Sequence, residues 1–589
     1  MKLLTQKIRS FKVVAFASCI AFSASSHADE NKKFEKLLDE HWQYFLQTHP
    51  FQASDYGDLR YNDKLPDNSL EGLAAHSDFQ SKLLTKLAKL NLNSLTPKNQ
   101  LNYELLTHEL NVNVGEHIHK TDLFNITNRS GPHLELVYFL GQAPLFTDKD
   151  HQNYIKRLQA VPEFMAHELE VAREAVSLGL VQSCESMAGY ENSIATHVVK
   201  NPEDSKFYEP FLKLPNKFSE ERKTTLQAQA KAAIKESVIP QIALFGEFYA
   251  KEYQPNCAKI PGASNWPKGD ELYQFLVGKY TTTELTADEV HNIGLSEVKR
   301  IRDEMIAAIK QAEFDGGLQE FIQYLRTDKQ FYAKTPEELV AHVSTIAKKM
   351  DGELPKLFGK LPRNPYGIKE VPADIAEKTT TAYYSPGAAD GSRAGFYYIN
   401  TSLLEARPLY TLEALTLHEA VPGHHLQIAL AYENDVPNFR RDINNTVFIE
   451  GWGLYAERLG LEVGFYDNPY TNFGRLSYEM WRALRLVVDT GIHAKGWTRQ
   501  QAIDFMAENS ALSLHNITAE VDRYITWPGQ ALAYKMGELK IRELREKAEQ
   551  KLGAQFDVRA FHDALLENGA VPLSILEELM DKWLATQSG

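Results

Sequence analysis

Apolar residues recur at three- and four-residue intervals from near one end of the chain to the other, which restricts the fold to packed helices. Phe34, Leu37, Leu38, Trp42, Phe45 and Leu46 form a stripe that stops before Pro50. Val290, Ile293, Ile301, Met305 and Ile309 form another, opened by Thr286 and Glu289 at capping-box spacing. Leu476, Met480, Leu484 and Val487 make a third, and Ile575, Leu576, Leu579 and Trp583 close the chain. Such stripes are core. A single core stops growing near ~250–300 residues, so 589 residues are expected to build two lobes or more, helical by the pattern. The stretch 255–268, rich in Pro, Gly and Asn, is the expected boundary. It gives an N-terminal lobe over 29–265 and a C-terminal lobe over 266–589.

The first 28 residues form a segment apart. They hold Lys2, Lys7, Arg9 and Lys12 and no acid, then an apolar run over 13–24, then Ser26-His27-Ala28. That order predicts a secretory signal cleaved after Ala28. The run falls short of the ~20 apolar residues a membrane span needs. Phe16-Ala17-Ser18-Cys19 loosely resembles a lipobox, so a lipid anchor at Cys19 is the alternative. Either route places the protein outside the cytoplasm, in the periplasm or secreted. Cys184 and Cys257 are the other two cysteines, and an even count in an oxidising compartment predicts one disulfide. They lack the close spacing of a zinc–thiolate site. Losing the four basic leader residues takes the formal charge from −14 to −18. That surplus disfavours nucleic acid as a partner.

One region breaks the helical habit. Residues 379–384 and 396–399 are β-branched and aromatic, separated by Pro386-Gly387 and Asp390-Gly391, and predict a small hairpin or sheet beside the next helix. That helix, over 409–417, runs into His418-Glu419-Ala420-Val421-Pro422-Gly423-His424-His425. A zinc peptidase helix carries two histidines one turn apart with a Glu beside the first. Here the i+4 position is Pro422, which lacks the N–H for the His418 carbonyl and loosens the turn. A bulge at Pro422-Gly423 would move His424 into the second ligand position. His425, at i+7, is the alternative, but it lies two turns away. Glu450 is the expected third ligand, and Glu457 the expected hydrogen-bond partner of a ligating imidazole. Gly451 and Gly453 would admit a close helix. Two His and one Glu leave a zinc position open to water, the catalytic arrangement.

HEAVPGHH, the Glu450-Gly451-Trp452 segment and the run from Arg523 to Gln530 resemble the bacterial family called domain of unknown function 885. The similarity extends from about residue 55 to 576. That family in turn resembles the helical zinc peptidases that include angiotensin-converting enzyme, oligopeptidases and thermostable carboxypeptidases. The resemblance implies a mostly helical, two-lobed fold with a deep channel and one zinc ion. It implies His418 and Glu450 as ligands and Glu419 as general base. It matches Arg523-Tyr524 to an Arg-Tyr pair whose Tyr stabilises the developing oxyanion. His515 falls one residue from a substrate-binding histidine of that group.

An oxyanion needs a donor, and a tyrosine hydroxyl can supply it. Tyr524 is the first choice and Tyr534 the second. Arg482, Arg485, Asp489 and His493 recur at helical spacing; Asp489 is a candidate for the shell behind the ligands and His493 for the substrate. Arg393 could meet a substrate carboxylate, and the strand ending at Asn400 could pair with a peptide backbone as edge strands do. The expectation is an exported zinc metallopeptidase acting on short peptides. A peptide-binding or chaperone-like protein with an impaired site, and a non-peptide amide hydrolase, are the alternatives. Oligomeric state is not legible.

Overall fold

The computed structural model describes residues 29–376, 380–388, 391 and 393–587. The expected signal and the lipid-anchor candidate Cys19 lie outside the described residues, as do Thr379, Asp390 and Ser392. The chain divides into two compact units. The first holds residues up to 181, 188–256 and 437–440; the second holds 182–187, 257–436 and 441 onward.

The first unit is helical throughout. Its opening helix, 29–48, buries Phe34, Leu38 and Leu46 of the first stripe. Leu70–Leu87 and Pro97–Ile118 pack side by side through buried Leu83, Leu87, Leu105 and Leu106. The longest helix, Asp148–Leu178, starts on a capping box between Thr147 and Asp150. It ends at Gly179, whose positive φ suits a residue without a Cβ.

Seven helices of the second unit matter for the site. They are α1 (Ala287–Gln311), α2 (Leu412–Glu419), α3 (His424–Glu433), α4 (Thr446–Leu459), α5 (Pro469–Lys495), α6 (Leu514–Thr526) and α7 (Ala533–Leu552). The capping box expected at Thr286 and Glu289 opens α1. The apolar face of α1 packs along α5, and Ile301, Met305, Leu476, Met480, Leu484 and Val487 are buried in one core cluster. α5 is enclosed on nearly every side, so its polar residues have to find partners inside the protein. Glu479 is a clear case: buried on α5, it meets Arg475 at 2.9 Å and the fully buried Lys535 of α7 at 3.0 Å. α4 crosses α7 at Gly451 and Gly537, where a Cβ on Gly451 would stand 2.5 Å from the Gly537 Cα.

Three strands form a small sheet: β1 (Tyr366–Glu370), β2 (Ala382–Ser385) and β3 (Gly395–Ile399), in the order β1-β3-β2. β3 runs parallel to β1 and antiparallel to β2. The hairpin expectation therefore holds for β2 and β3, but β3 is the centre of the sheet and both its edges are taken. It is not available to pair with a peptide. β1 carries Gly367, Lys369 and Glu370 and gives no alternating apolar signal, which is why the sequence does not show it.

The crossing into the second unit falls between Asn256 and Cys257 rather than after residue 265. The Pro/Gly stretch is itself held by the second unit. The Ala258 N–H donates to the Gln182 carbonyl, and the Ala263 N–H donates to His493 Nδ1. Cys184 and Cys257 form the expected disulfide, with Cα atoms 5.1 Å apart. Among the described residues no helix is long and apolar enough to cross a membrane.

Candidate metal centre

α2 does not bulge at Pro422, as the spacing predicts; it stops. Ala420 leaves the helical region with ψ −110°, the Val421–Pro422 peptide is cis, and α3 begins afresh at His424. Pro422 offers no N–H to continue the ladder, and the Gly423 backbone lies against the His418 carbonyl where a Cβ would overlap. The His425 N–H closes the link by donating to the Ala420 carbonyl at 3.0 Å. Trp452 Nε1, from α4, donates to the Pro422 carbonyl at 2.8 Å and fixes the link from the other side. The sequence presents Trp452 only as part of the Glu450-Gly451-Trp452 segment, and nothing in the spacing gives its indole this role.

The break delivers His424 to the place where a second ligand belongs. Glu450 Oε2 lies 3.4 Å from His418 Nε2 and 3.5 Å from His424 Nε2. One ligand atom from each of these residues falls within 4.8 Å of the others. Ligands at 2.0–2.1 Å around a tetrahedral zinc stand roughly 3.3–3.4 Å apart, so the observed spacing fits one ion. Glu450 Oε2 is buried and receives no hydrogen bond from the described residues. A buried carboxylate oxygen without a donor is costly, and a cation between the three side chains would satisfy it. The donor set and the orphaned oxygen together fit a zinc ion.

The shell behind the ligands is also built. His418 Nδ1 donates to Glu457 Oε1 at 2.8 Å, which sets the ring so that Nε2 faces Glu450. Arg482 Nη2 stands 3.3 Å from the same carboxylate oxygen. Gly453 lets α4 come close: a Cβ there would stand 2.7 Å from the His418 ring. Burial works against a charged His418, but the nearby carboxylates of Glu450 and Glu457 outweigh it and lift its pKa to about 9. Burial likewise opposes the Glu450 charge, yet His424 and His418 hold its pKa well below the usual carboxylate value. Without an ion these three groups carry the site's charge balance among themselves.

Glu419 ends α2 half-buried and accepts no hydrogen bond from the described residues. Its charge acts on both His418 and Tyr397. His425, the alternative ligand, is turned away. Its Nδ1 meets the Tyr384 hydroxyl at 2.8 Å, its ring centre lies 4.7 Å from that of Tyr366, and burial takes its pKa down to about 4.

Other expected site residues fall elsewhere. The Tyr524 hydroxyl is fully engaged: it receives Trp481 Nε1 at 3.0 Å and Arg485 Nε at 2.9 Å and donates to Glu520 at 2.9 Å. No capacity is left for an oxyanion, so the first-choice donor is corrected. Tyr534 carries no hydrogen bond among the described residues and lies under the Arg485 guanidinium, 4.2 Å from ring centre. Burial raises its pKa, the Glu450 charge adds to that, and Arg485, Arg523 and Arg482 oppose it. Its phenol is thus in electrostatic reach of the metal ligands.

Asp489 does not back the ligands. It accepts from the Tyr273 hydroxyl and the Gly529 N–H, and burial raises its pKa to about 7. His493 spends both ring nitrogens on the backbone, at Ala263 and Tyr524, and has none for a substrate. Asn400 is buried, donates to the Ala376 and Thr380 carbonyls and accepts from Ser402, so it pins the end of β3. Arg393 and His515 are exposed.

The comparisons with known proteins agree with this architecture. Among curated proteins none matches the chain. A crystal structure of a "putative lipoprotein" from Colwellia psychrerythraea is 28% identical, with a TM-score of 0.88 over 95% of this chain and 99% of that one. A structure of a "putative lipoprotein of unknown function" from Shewanella oneidensis, 19% identical, shares the fold at a TM-score of 0.69 over 93% of this chain and 99% of that one. The family model described as "Bacterial protein of unknown function (DUF885)" matches residues 50–580, and so the chain belongs to the DUF885 family.

Proposed function

We propose that the protein is an exported zinc-dependent metallopeptidase that hydrolyses short peptides. The observation that carries this reading is the convergence of His418, His424 and Glu450 at 3.4–3.5 Å with an uncommitted Glu419 on the same helix end. Zinc held by these three residues would acidify a water and polarise a carbonyl. Glu419 takes the proton from the attacking water and passes it to the leaving amine. Tyr534 donates its hydroxyl to the carbonyl oxygen as charge develops there. Glu457 and Arg482 hold the His418 ring in place.

The resemblance to the helical zinc peptidases supports the same chemistry. The break at Pro422, the feature that favoured a binding protein without catalysis, carries His424 towards Glu450, and that supports catalysis over binding alone. The two solved structures named above are described as "putative lipoprotein", which supports export and keeps lipid attachment at Cys19 as the alternative to simple cleavage.

The test is metal analysis of protein purified without chelator, with a mixed-peptide digest. About one zinc per chain is expected, and Glu419→Gln should keep the zinc while losing about 10²–10⁴ in turnover. His424→Ala should lose the metal and His425→Ala should keep it. A zinc-free wild type, or a Glu419→Gln variant that turns over as well as wild type, would sink the reading.

A further inference from the structure

We propose that Arg485 and Arg523 form a receptor for the C-terminal carboxylate of the peptide, so that the protein trims chains from that end. The inference rests on the peptidase reading for its consequence, but not for the binding itself.

It begins from a shared carboxylate. Arg485 Nη2 lies 3.2 Å from Glu520 Oε2, and Arg523 Nε lies 3.5 Å from the same oxygen. That oxygen also receives the Tyr524 hydroxyl. Two guanidiniums therefore share one carboxylate, and Arg485 acts unfavourably on Arg523. Arg482 faces Glu457 instead. Asp489, whose charge reaches Arg523, takes its hydrogen bonds from Tyr273 and Gly529 rather than from the guanidinium.

Donors are left over around it. Arg485 Nη1 and Arg523 Nη2 are buried and have no hydrogen-bond partner among the described residues, and Arg523 Nε has only the 3.5 Å contact to Glu520. The Arg485 side chain is only 4% exposed. Leaving donors of a charged group unmet costs more than any other hydrogen-bond defect. A monoanion with two oxygens in one plane answers these donors together, and a carboxylate is the shape a guanidinium fork fits.

Position turns the recess into a rule about substrate. Tyr534 lies between the two sites: its ring packs under Arg485, and its phenol feels Glu450. A carboxylate in the recess is thus about one aromatic side chain from the metal ligands. A peptide advancing ~3.3–3.6 Å per residue covers that in about two residues, so cleavage falls next to the C-terminus. Arg393, expected from the sequence to meet a substrate carboxylate, is exposed and takes no part.

The experiment measures binding apart from chemistry. The Glu419→Gln protein is titrated calorimetrically with two short peptides identical except for a free carboxylate or a carboxamide at the end. The acid is expected to bind at least about tenfold tighter, and Arg523→Gln in the same background should bring that ratio towards one. Equal binding of acid and amide, or no binding of either, overturns the proposal, and this comparison needs no arginine variant to fold. Wild-type turnover of the same pair then separates the two readings. Cleavage of both at equal kcat/KM removes the recess and leaves the peptidase. Cleavage of neither, with the acid still bound preferentially, removes the peptidase and leaves the recess.

Discussion

Tyr524 and Tyr534 are of the same residue type and fall in one segment, yet the structure gives them opposite work. Tyr524 is a buried junction whose hydroxyl joins Trp481, Arg485 and Glu520. Tyr534 has a hydroxyl with no partner in the described protein and the Glu450 charge in reach. Tyr534→Phe should therefore cut kcat by about 10²–10³, the usual loss of one oxyanion donor, and leave the melting temperature near that of wild type. Tyr524→Phe should strand two buried donors and lower unfolding free energy by about 1–3 kcal/mol. The measurements are steady-state kinetics and urea unfolding of both variants. The reverse pattern, with Tyr524→Phe stable but inactive, would return the donor role to Tyr524. At this scale the sequence carries residue types and spacing, and those single out His418, His424 and Glu450, which the fold brings together, and Glu457, which bonds His418. Whether a hydroxyl is already spent depends on which side chains fold against it, and no spacing encodes that.

The elements explain why a motif that fails its usual spelling still converges. Breaking the helix between Glu419 and His424 swings the second histidine onto a new helix, and α4 closes the site by bringing Glu450 and Glu457 together from one face. That approach depends on Gly453, which faces the His418 ring. An alanine inside a helix ordinarily adds about 0.5–1 kcal/mol over glycine. At Gly453 the added Cβ would press on the imidazole at 2.7 Å, so Gly453→Ala should lose metal affinity, by about 10–100-fold as for other changes that tilt a ligand. Circular dichroism should show helix content unchanged, and zinc titration against a competing chelator reads the loss. Wild-type affinity with raised stability would show that the ring has room and that Gly453 does not set the site. The helical stripes made α1 and α5 legible from the sequence. β1 and the order of the sheet were not, because a short strand with a glycine and two charges shows no periodicity, and its pairing is long-range.

For the whole molecule, the two cysteines mark where the chain leaves the second unit and where it returns. Residues 182–187 and the stretch from 257 belong to that unit, while 188–256 belong to the first. The disulfide therefore holds the two crossing points of an excursion with a sequence separation of 73 residues. Closing a loop of that length restricts the unfolded chain, and the chain-entropy model gives about 4 kcal/mol, within the ~2–5 kcal/mol seen when native disulfides are removed. A bond of this kind persists in an oxidising compartment, which agrees with the export expected from the first 28 residues. Replacing both cysteines by serine should lower the urea midpoint accordingly, and adding a reductant to the wild type should reproduce the shift without any mutation. The lost stability should show first as easier proteolysis within 188–256, since that excursion loses its closure while His418, His424 and Glu450 all lie beyond it. If both thiols titrate as free in the native protein, or if reductant leaves the midpoint where it was, the link contributes nothing. The crossing is then held by hydrogen bonds, those of Gln182, Cys184 and Ala258 among them.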